Sequence, residues 1–243
     1  MLGLFNRKKY FRNTPQTKLT DSGAAATDYF GISLALSKDG NTFIACSRHD
    51  DVGANTDQGS VVVFTRSGTT WTQQAKLTDS NGTAGDYFGQ DVALSSDGNT
   101  AIVGATFDDV GANADQGSAV VFTRSGSTWT EQAKLTDSGG AADDRFGSSV
   151  ALSSDGNTAI VGASRDDVNV NYDDRGSAVV FTRSGSTWTQ QAKLTDSSNT
   201  ANSYFGGGVA LSNDGNTALI GASGYSISGA GTAEGCAVVF TRS

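Results

Sequence analysis

The segment Lys-Leu-Thr-Asp-Ser begins at Lys18, Lys76, Lys134 and Lys193, so the chain repeats itself every 58 or 59 residues. Other landmarks keep step. Phe-Gly recurs at Phe30, Phe88, Phe146 and Phe205, Asp-Gly-Asn-Thr at Asp39, Asp97, Asp155 and Asp214, and Val-Phe-Thr-Arg-Ser at Val63, Val121, Val180 and Val239. A unit this short buries little by itself and must stack on its neighbours, so the fold has to be an array of like modules. Within the second unit, residues 89–94, 100–105, 118–123 and 128–135 read as strands, separated by Ser-Asp-Gly-Asn and Arg-Ser-Gly-Ser turns and one polar loop. No stretch carries a capped helical period. Four strands per unit at this spacing predict the blades of a β-propeller.

The termini bear on closure. Residues 14–22 (Thr-Pro-Gln-Thr-Lys-Leu-Thr-Asp-Ser) align with residues 72–80, the fourth strand of the first unit and its exit. The last unit reaches Ser243 after its third strand. We therefore expect an all-β, four-bladed propeller of four-stranded antiparallel blades over residues 13–243, the ring closed by the N-terminal strand. Closure removes exposed sheet edges, and Pro15 suits an outermost strand. The alternative is strand exchange between chains.

Composition excludes several functions. A single His leaves no His-rich metal site, and a pI near 4.5 is wrong for a nucleic-acid binder. No apolar run is long enough for a transmembrane segment. Near-identical units offer the same side chains repeatedly instead of one asymmetric constellation, so no catalytic residue is assigned and the chain is read as not an enzyme. His49 is read as an exposed loop residue, and Gly206-Gly207-Gly208 opens no helix that could cradle a phosphate.

Phe-Gly heading strand one, with Gly104-Ala105, Gly162-Ala163 and Gly221-Ala222 ending strand two, resembles the FG-GAP repeat of integrin-α-like propellers, in its bacterial and viral variety. The resemblance covers about residues 14–243. It implies the propeller fold and a role in adhesion or surface recognition. Two departures stand out: the Pro of Gly-Ala-Pro is missing, and the strand one–two connection is only Ser-Asp-Gly-Asn where the family carries a Ca²⁺ loop. That connection offers too few oxygens for calcium, so it is read as a tight turn and the family's metal site is not carried over.

The loops between strands two and three are acidic in three units. Asp50, Asp57, Asp108, Asp115, Asp166 and Asp173 are the carboxylates a Ca²⁺ ion would use there. They serve equally in a solvated loop whose Asp and Asn bond their own backbone. The spacing matches no EF-hand and residues 225–231 contain no Asp, so no metal ligand or cofactor is assigned, Ca²⁺ being the one cation these loops would suit. Cys46 and Cys236 fall in units that adjoin in a closed ring. They are read as two buried thiols, with a disulfide as the alternative. Trp71, Trp129 and Trp188 are read as packing over the blade edge, sugar stacking being the alternative.

The one–two and three–four turns scarcely vary between units, whereas the two–three loops and the connections between units do. In an up-and-down blade these variable segments share one face, where partner recognition is expected. The expected partner-binding residues are Tyr29, Tyr87, Arg145 and Tyr204, each preceding the constant Phe, with Asp108, Asp109, Arg165, Tyr172 and Tyr225 of the two–three loops.

Residues 1–12 lie outside the repeat and hold four basic and no acidic side chains, leaving 13 basic against 25 acidic, or −12, in the remainder. Leu4, Phe5, Arg7, Lys8, Lys9, Tyr10, Phe11 and Arg12 compose a basic, apolar docking arm rather than a secretory signal. The expectation is a structural and binding module on a virion, such as a phage decoration or tail-associated protein. Its arm would contact other virion or surface proteins, and its loop face a glycan or host receptor. The alternative is an extracellular or cell-surface bacterial adhesin or lectin-like propeller, with calcium dependence an added option.

Overall fold

The structure, a computed structural model, describes residues 17–168, 173–198, 200–226 and 233–242. It is all-β, with no helix among the described residues. Blade one comprises β1 (Leu34–Leu36), β2 (Thr42–Ser47), β3 (Ser60–Ser67) and β4 (Thr70–Leu77). Blade two comprises β5 (Val92–Leu94), β6 (Thr100–Ala105), β7 (Ser118–Ser125) and β8 (Thr128–Leu135). Blade three comprises β9 (Phe146–Leu152), β10 (Thr158–Ala163), β11 (Ser177–Ser184) and β12 (Thr187–Leu194), and blade four β13 (Phe205–Leu211), β14 (Thr217–Ala222) and β15 (Cys236–Thr241). Every blade is an antiparallel meander in chain order. The four blades are the four units read from the sequence. In blade two the first strand begins at Val92, later than the expected residue 89, because Gly89 and Gln90 both turn their N–H groups onto the Gly104 carbonyl.

Each one–two turn closes on its own side chains. In blade two Ser95 Oγ and the Asn99 amide both donate to Asp97 Oδ1, while Asn99 Nδ2 donates to Oδ2. Gly98 takes the left-handed conformation that an L side chain resists, at φ 71°. The single carboxylate is thus engaged by its own turn, and the connection does not fit a calcium ion. The equivalent Asp39 is held down at about 2 by hydrogen bonds from Ser37 and Asn41.

The core lies in the seams between blades. The back of blade one (Ile44, Cys46, Val61, Val63) packs on the front of blade two (Val92, Ala101, Val103, Val120, Phe122), and the pattern repeats from blade two to three and from three to four. The middle strands β6 and β10, Thr-Ala-Ile-Val-Gly-Ala in both, are buried along their whole length because both faces are covered. On the turn side a backbone relay, Lys38 N to Ser96 O, Ser96 N to Ser154 O and Ser154 N to Asn213 O, laces all four blades together.

Closure by the N-terminal strand is not what the described residues form. The fourth sheet has three strands. Residues 14–16 of the expected closing strand lie outside the described residues, and residues 17–20 pair with no strand. The chain then follows blade one, where Asp21 accepts from Gln73 and Lys76. Leu34 and Leu36 on the front of blade one are 62% and 61% exposed, whereas Val92 and Val150, equivalent to Leu34, are 6% and 5%. Leu219 and Val239 on the back of blade four are 44% and 61% exposed, although their counterparts Ile102 and Val121 are fully buried. The blades therefore stand in an arc with two uncovered terminal faces.

Candidate functional site

Each seam is drawn together on the loop side by the Phe-Gly motif. Phe146 N donates to Gln116 O, and the strand that follows bridges in parallel to Gly117. A Cβ on Gly117 would lie 2.0 Å from the Phe146 carbonyl oxygen, and its φ of 85° is left-handed, so only glycine fits. The Phe ring is swallowed by the seam: Phe88, Phe146 and Phe205 are fully buried and meet the strand-three rings Phe122, Phe181 and Phe240 edge-on.

Burying that Phe dictates the residue before it. Tyr29, Tyr87, Arg145 and Tyr204 all sit at left-handed φ, between 52° and 59°. For non-glycine residues this costs roughly 1 kcal/mol apiece, and observed backbone outliers of this kind gather at functional sites. The geometry throws these side chains onto the loop face. There Tyr29, His49, Tyr87 and Phe107 form a continuous run of edge-on rings with centroids 5.0, 4.9 and 5.0 Å apart. Arg145 continues it, its guanidinium 3.9 Å from the Phe107 centroid and paired with Asp115 and Asp143 at 3.1 Å. Arg165 and Tyr204 occupy the next equivalent positions, exposed and half-buried respectively.

His49 thus differs from its expected role as a free loop residue. It is half-buried between two tyrosines, with Nδ1 3.0 Å from Asp57 Oδ1. His49 and Phe107 are members of this ladder that the sequence reading missed. The available signal was their shared register: positions 49, 107 and 165 hold three different large side chains directly before a constant Asp-Asp-Val.

Asp108, expected on the partner surface, is instead buried. Together with Asp79 it clasps Lys134, whose Nζ lies 2.5 Å from Asp108 and 3.0 Å from Asp79. Lys76 does the same with Asp21 and Asp50, and Lys193 with Asp137 and Asp166. The ammonium group therefore stands where Asp50, Asp108 and Asp166 were weighed as calcium ligands. Asp57 and Asp115 take left-handed backbone and accept from His49 and Arg145, and Asp173 pairs with Arg175. These carboxylates do not converge on a shared cation position. The lysines of the Lys-Leu-Thr-Asp-Ser motif are clasp residues that went unrecognised in the sequence, where only their periodicity was used.

A third acid stands beside the Lys134 and Lys193 clasps. Burial pushes the Asp144 carboxyl up to about 6, with the neighbouring Asp166 and Asp137 carboxylates adding to it against the hydrogen bond from Ala141 N. Asp86 is raised in the same manner, chiefly by burial and then by Asp108. Burial opposes ionisation of Asp137 too, but hydrogen bonds from Lys193, Gly139 N and Gln190 hold it below the usual range.

Asp109 is exposed and accepts from Asp115 N at 2.8 Å. Tyr225, expected on the loop face, packs against the blade three–four core at the position Asp166 holds one unit earlier. Tyr172 and the arm residues 1–12 lie outside the described residues. Trp129 and Trp188 close the seams as expected. Each indole donates to a glutamine of the preceding blade, Gln74 or Gln132, at 3.0 Å beneath the guanidinium of Arg124 or Arg183. Both thiols are free. Cys46 is buried, whereas Cys236 is only half-buried because it lies in the terminal blade.

A family model described as FG-GAP repeat matches residues 14–64, 71–122, 129–181 and 188–240, the last three copies each running from a strand four across a seam to the next strand three. No curated protein matches the chain. Among solved structures, Kuenenia stuttgartiensis hydrazine synthase shares 17% identity and a TM-score of 0.46, the match covering 78% of this chain and 42% of that one. At that similarity the likeness carries no argument about fold or activity. Four in-phase matches over most of the length do: the chain belongs to the FG-GAP repeat family.

Proposed function

We propose that the protein is a non-catalytic recognition module carried on a virion surface or tail, which engages its partner through the Tyr29–Arg145 ladder. An FG-GAP repeat propeller is a binding and structural module, and the ladder supports the finer reading. Aromatic rings and an arginine, enriched in binding hot spots, are held here in a fixed row by left-handed backbone and edge-on contacts. Rigid rings lose little conformational freedom on binding, which favours affinity. The +4 arm beside a −12 remainder supports anchoring of residues 1–12 to an acidic neighbour on the particle.

The adhesin or lectin-like reading has one observation in its favour: Tyr29 ends the ladder 61% exposed, a ring open to stacking. The test is binding of purified protein to host cells and to a glycan array, with and without EDTA, beside copurification with particles. Tyr87→Ala and Phe107→Ala should abolish binding with unchanged circular dichroism, and deletion of residues 1–12 should release the protein from particles. Binding indifferent to both ladder substitutions would overturn the site. Glycan hits lost in EDTA, without particle association, would establish the calcium-dependent adhesin instead.

A further inference from the structure

The two uncovered terminal faces are the halves of an interface the molecule already builds three times. In each seam the back of one blade receives the front of the next, and the chain presents one of each: Leu219 and Val239 behind blade four, Leu34 and Leu36 before blade one. A front meeting a back is heterologous and self-complementary between copies.

Among the described residues blade four has three strands, and a cleft stands where the other blades carry a fourth. A cleft of about 360 Å³ opens between blades three and four, lined by Leu194, Leu211, Phe240 and Arg242 among others. In the preceding seam this space is closed by Trp188 of a fourth strand. Arg242 reaches Gln191 at 3.4 Å, as Arg183 reaches Gln132, but no indole lies with it among the described residues. The run ending Thr17-Lys18-Leu19 has the sequence of a fourth strand, and its exit is already docked, since Asp21 holds Lys76 as Asp79 holds Lys134. Lys18 is then the clasp lysine of an absent blade, and Asp196, half-buried beside Cys236, is a clasp acid one repeat beyond Asp137.

We propose that a second copy of this chain docks head-to-tail, blade-one front on blade-four back, so that two copies close one ring of eight blades. In that arrangement Lys18 of one copy meets Asp196 of the other. Four blades leave both faces open in this structure, so the ring needs more than four, and eight is the multiple within the four-to-eight range of common propellers. This proposal does not depend on the partner-binding reading.

Light scattering and sedimentation test it directly. Wild type should have twice the chain mass. Leu36→Asp and Val239→Asp, both at exposed positions, should each be folded monomers by circular dichroism, and an equal mixture of the two should regain a dimer through its one intact front-to-back pair. Lys18→Asp should weaken the dimer at least tenfold, and Asp196→Lys in the same chain should restore it. A wild type that stays monomeric at every concentration would overturn the proposal. So would a mixture that stays monomeric, which marks front-to-front or back-to-back contact, or a filament in place of a dimer.

Discussion

Blades two and four carry the same third strand, Ala-Val-Val-Phe-Thr-Arg-Ser, yet Val121 is fully buried and Val239 is 61% exposed. The local pattern is identical, and the difference lies in whether another blade stands behind it. A repeat array is stabilised by its units and by the interfaces between them, and here the interfaces hold the Phe-Gly wedge, the lysine clasp and the tryptophan cover together. What an isolated unit lacks is therefore the larger part of what stabilises it.

The strongest way to break the contrast is through the seam glycines. Gly117→Ala places a Cβ on a backbone oxygen 2.0 Å away and should cost about 4 kcal/mol. The repeat-equivalent Gly235→Ala keeps the left-handed penalty but meets nothing nearer than 3.5 Å, so about 1 kcal/mol is expected. Urea denaturation of the two variants gives the difference, and equal losses would refute the seam as its cause. Next, Lys134→Met leaves the buried Asp79 and Asp108 carboxylates without their counter-ion and should cost about 3 kcal/mol at neutral pH.

Smaller effects sharpen the same comparison. Val121→Ala should cost about 2 kcal/mol, and Val239→Ala in dilute solution less than about 0.5 kcal/mol. Asp144→Asn removes a carboxyl whose pKa is raised. The folded state holds this proton up to about pH 6, the unfolded state only to its ordinary value near 3.8, so the wild-type contribution is favourable in acid and is lost as pH rises between them. The variant should gain about 1 kcal/mol at pH 7, reduced by solvent screening, and nothing at pH 3. Melting curves across that range measure it, and a constant offset at both pH values would contradict the assignment.

The blades, their strands and their turns were legible because the short apolar and alternating runs recur with period 58: β6 and β8 span the residues the sequence assigns them. The face carrying the variable loops was legible too, and with it Tyr29, Tyr87 and Arg145. What escaped was pairing across a seam. Asp79 and Lys134 stand 55 positions apart, and nothing local distinguishes a clasped aspartate from a solvated one. Asp108 and Asp109 illustrate it: adjacent and identical in type, one is sealed against lysine and the other faces water. Closure is not written in the same local way, and residues 14–16 of the expected closing strand lie outside the described residues. Aligning residues 14–22 with a fourth strand identifies what they are, but not how far the arc has turned when blade four is reached.

The sameness of the seams also bears on how the chain reaches its fold. A back face built from Ile, Val and Ala meets a front face of Val, Ala and Phe in every case, so chemistry alone does not tell a blade which neighbour it has met. Order is imposed by connectivity: the next unit begins a few residues after strand four ends, and its local concentration outcompetes any other. During folding, a unit whose proper neighbour is still unformed can accept an equivalent unit from another molecule, the mispairing to which repeat proteins are prone. Synthesis from the N-terminus, one blade at a time, gives each new front face only the back face just completed.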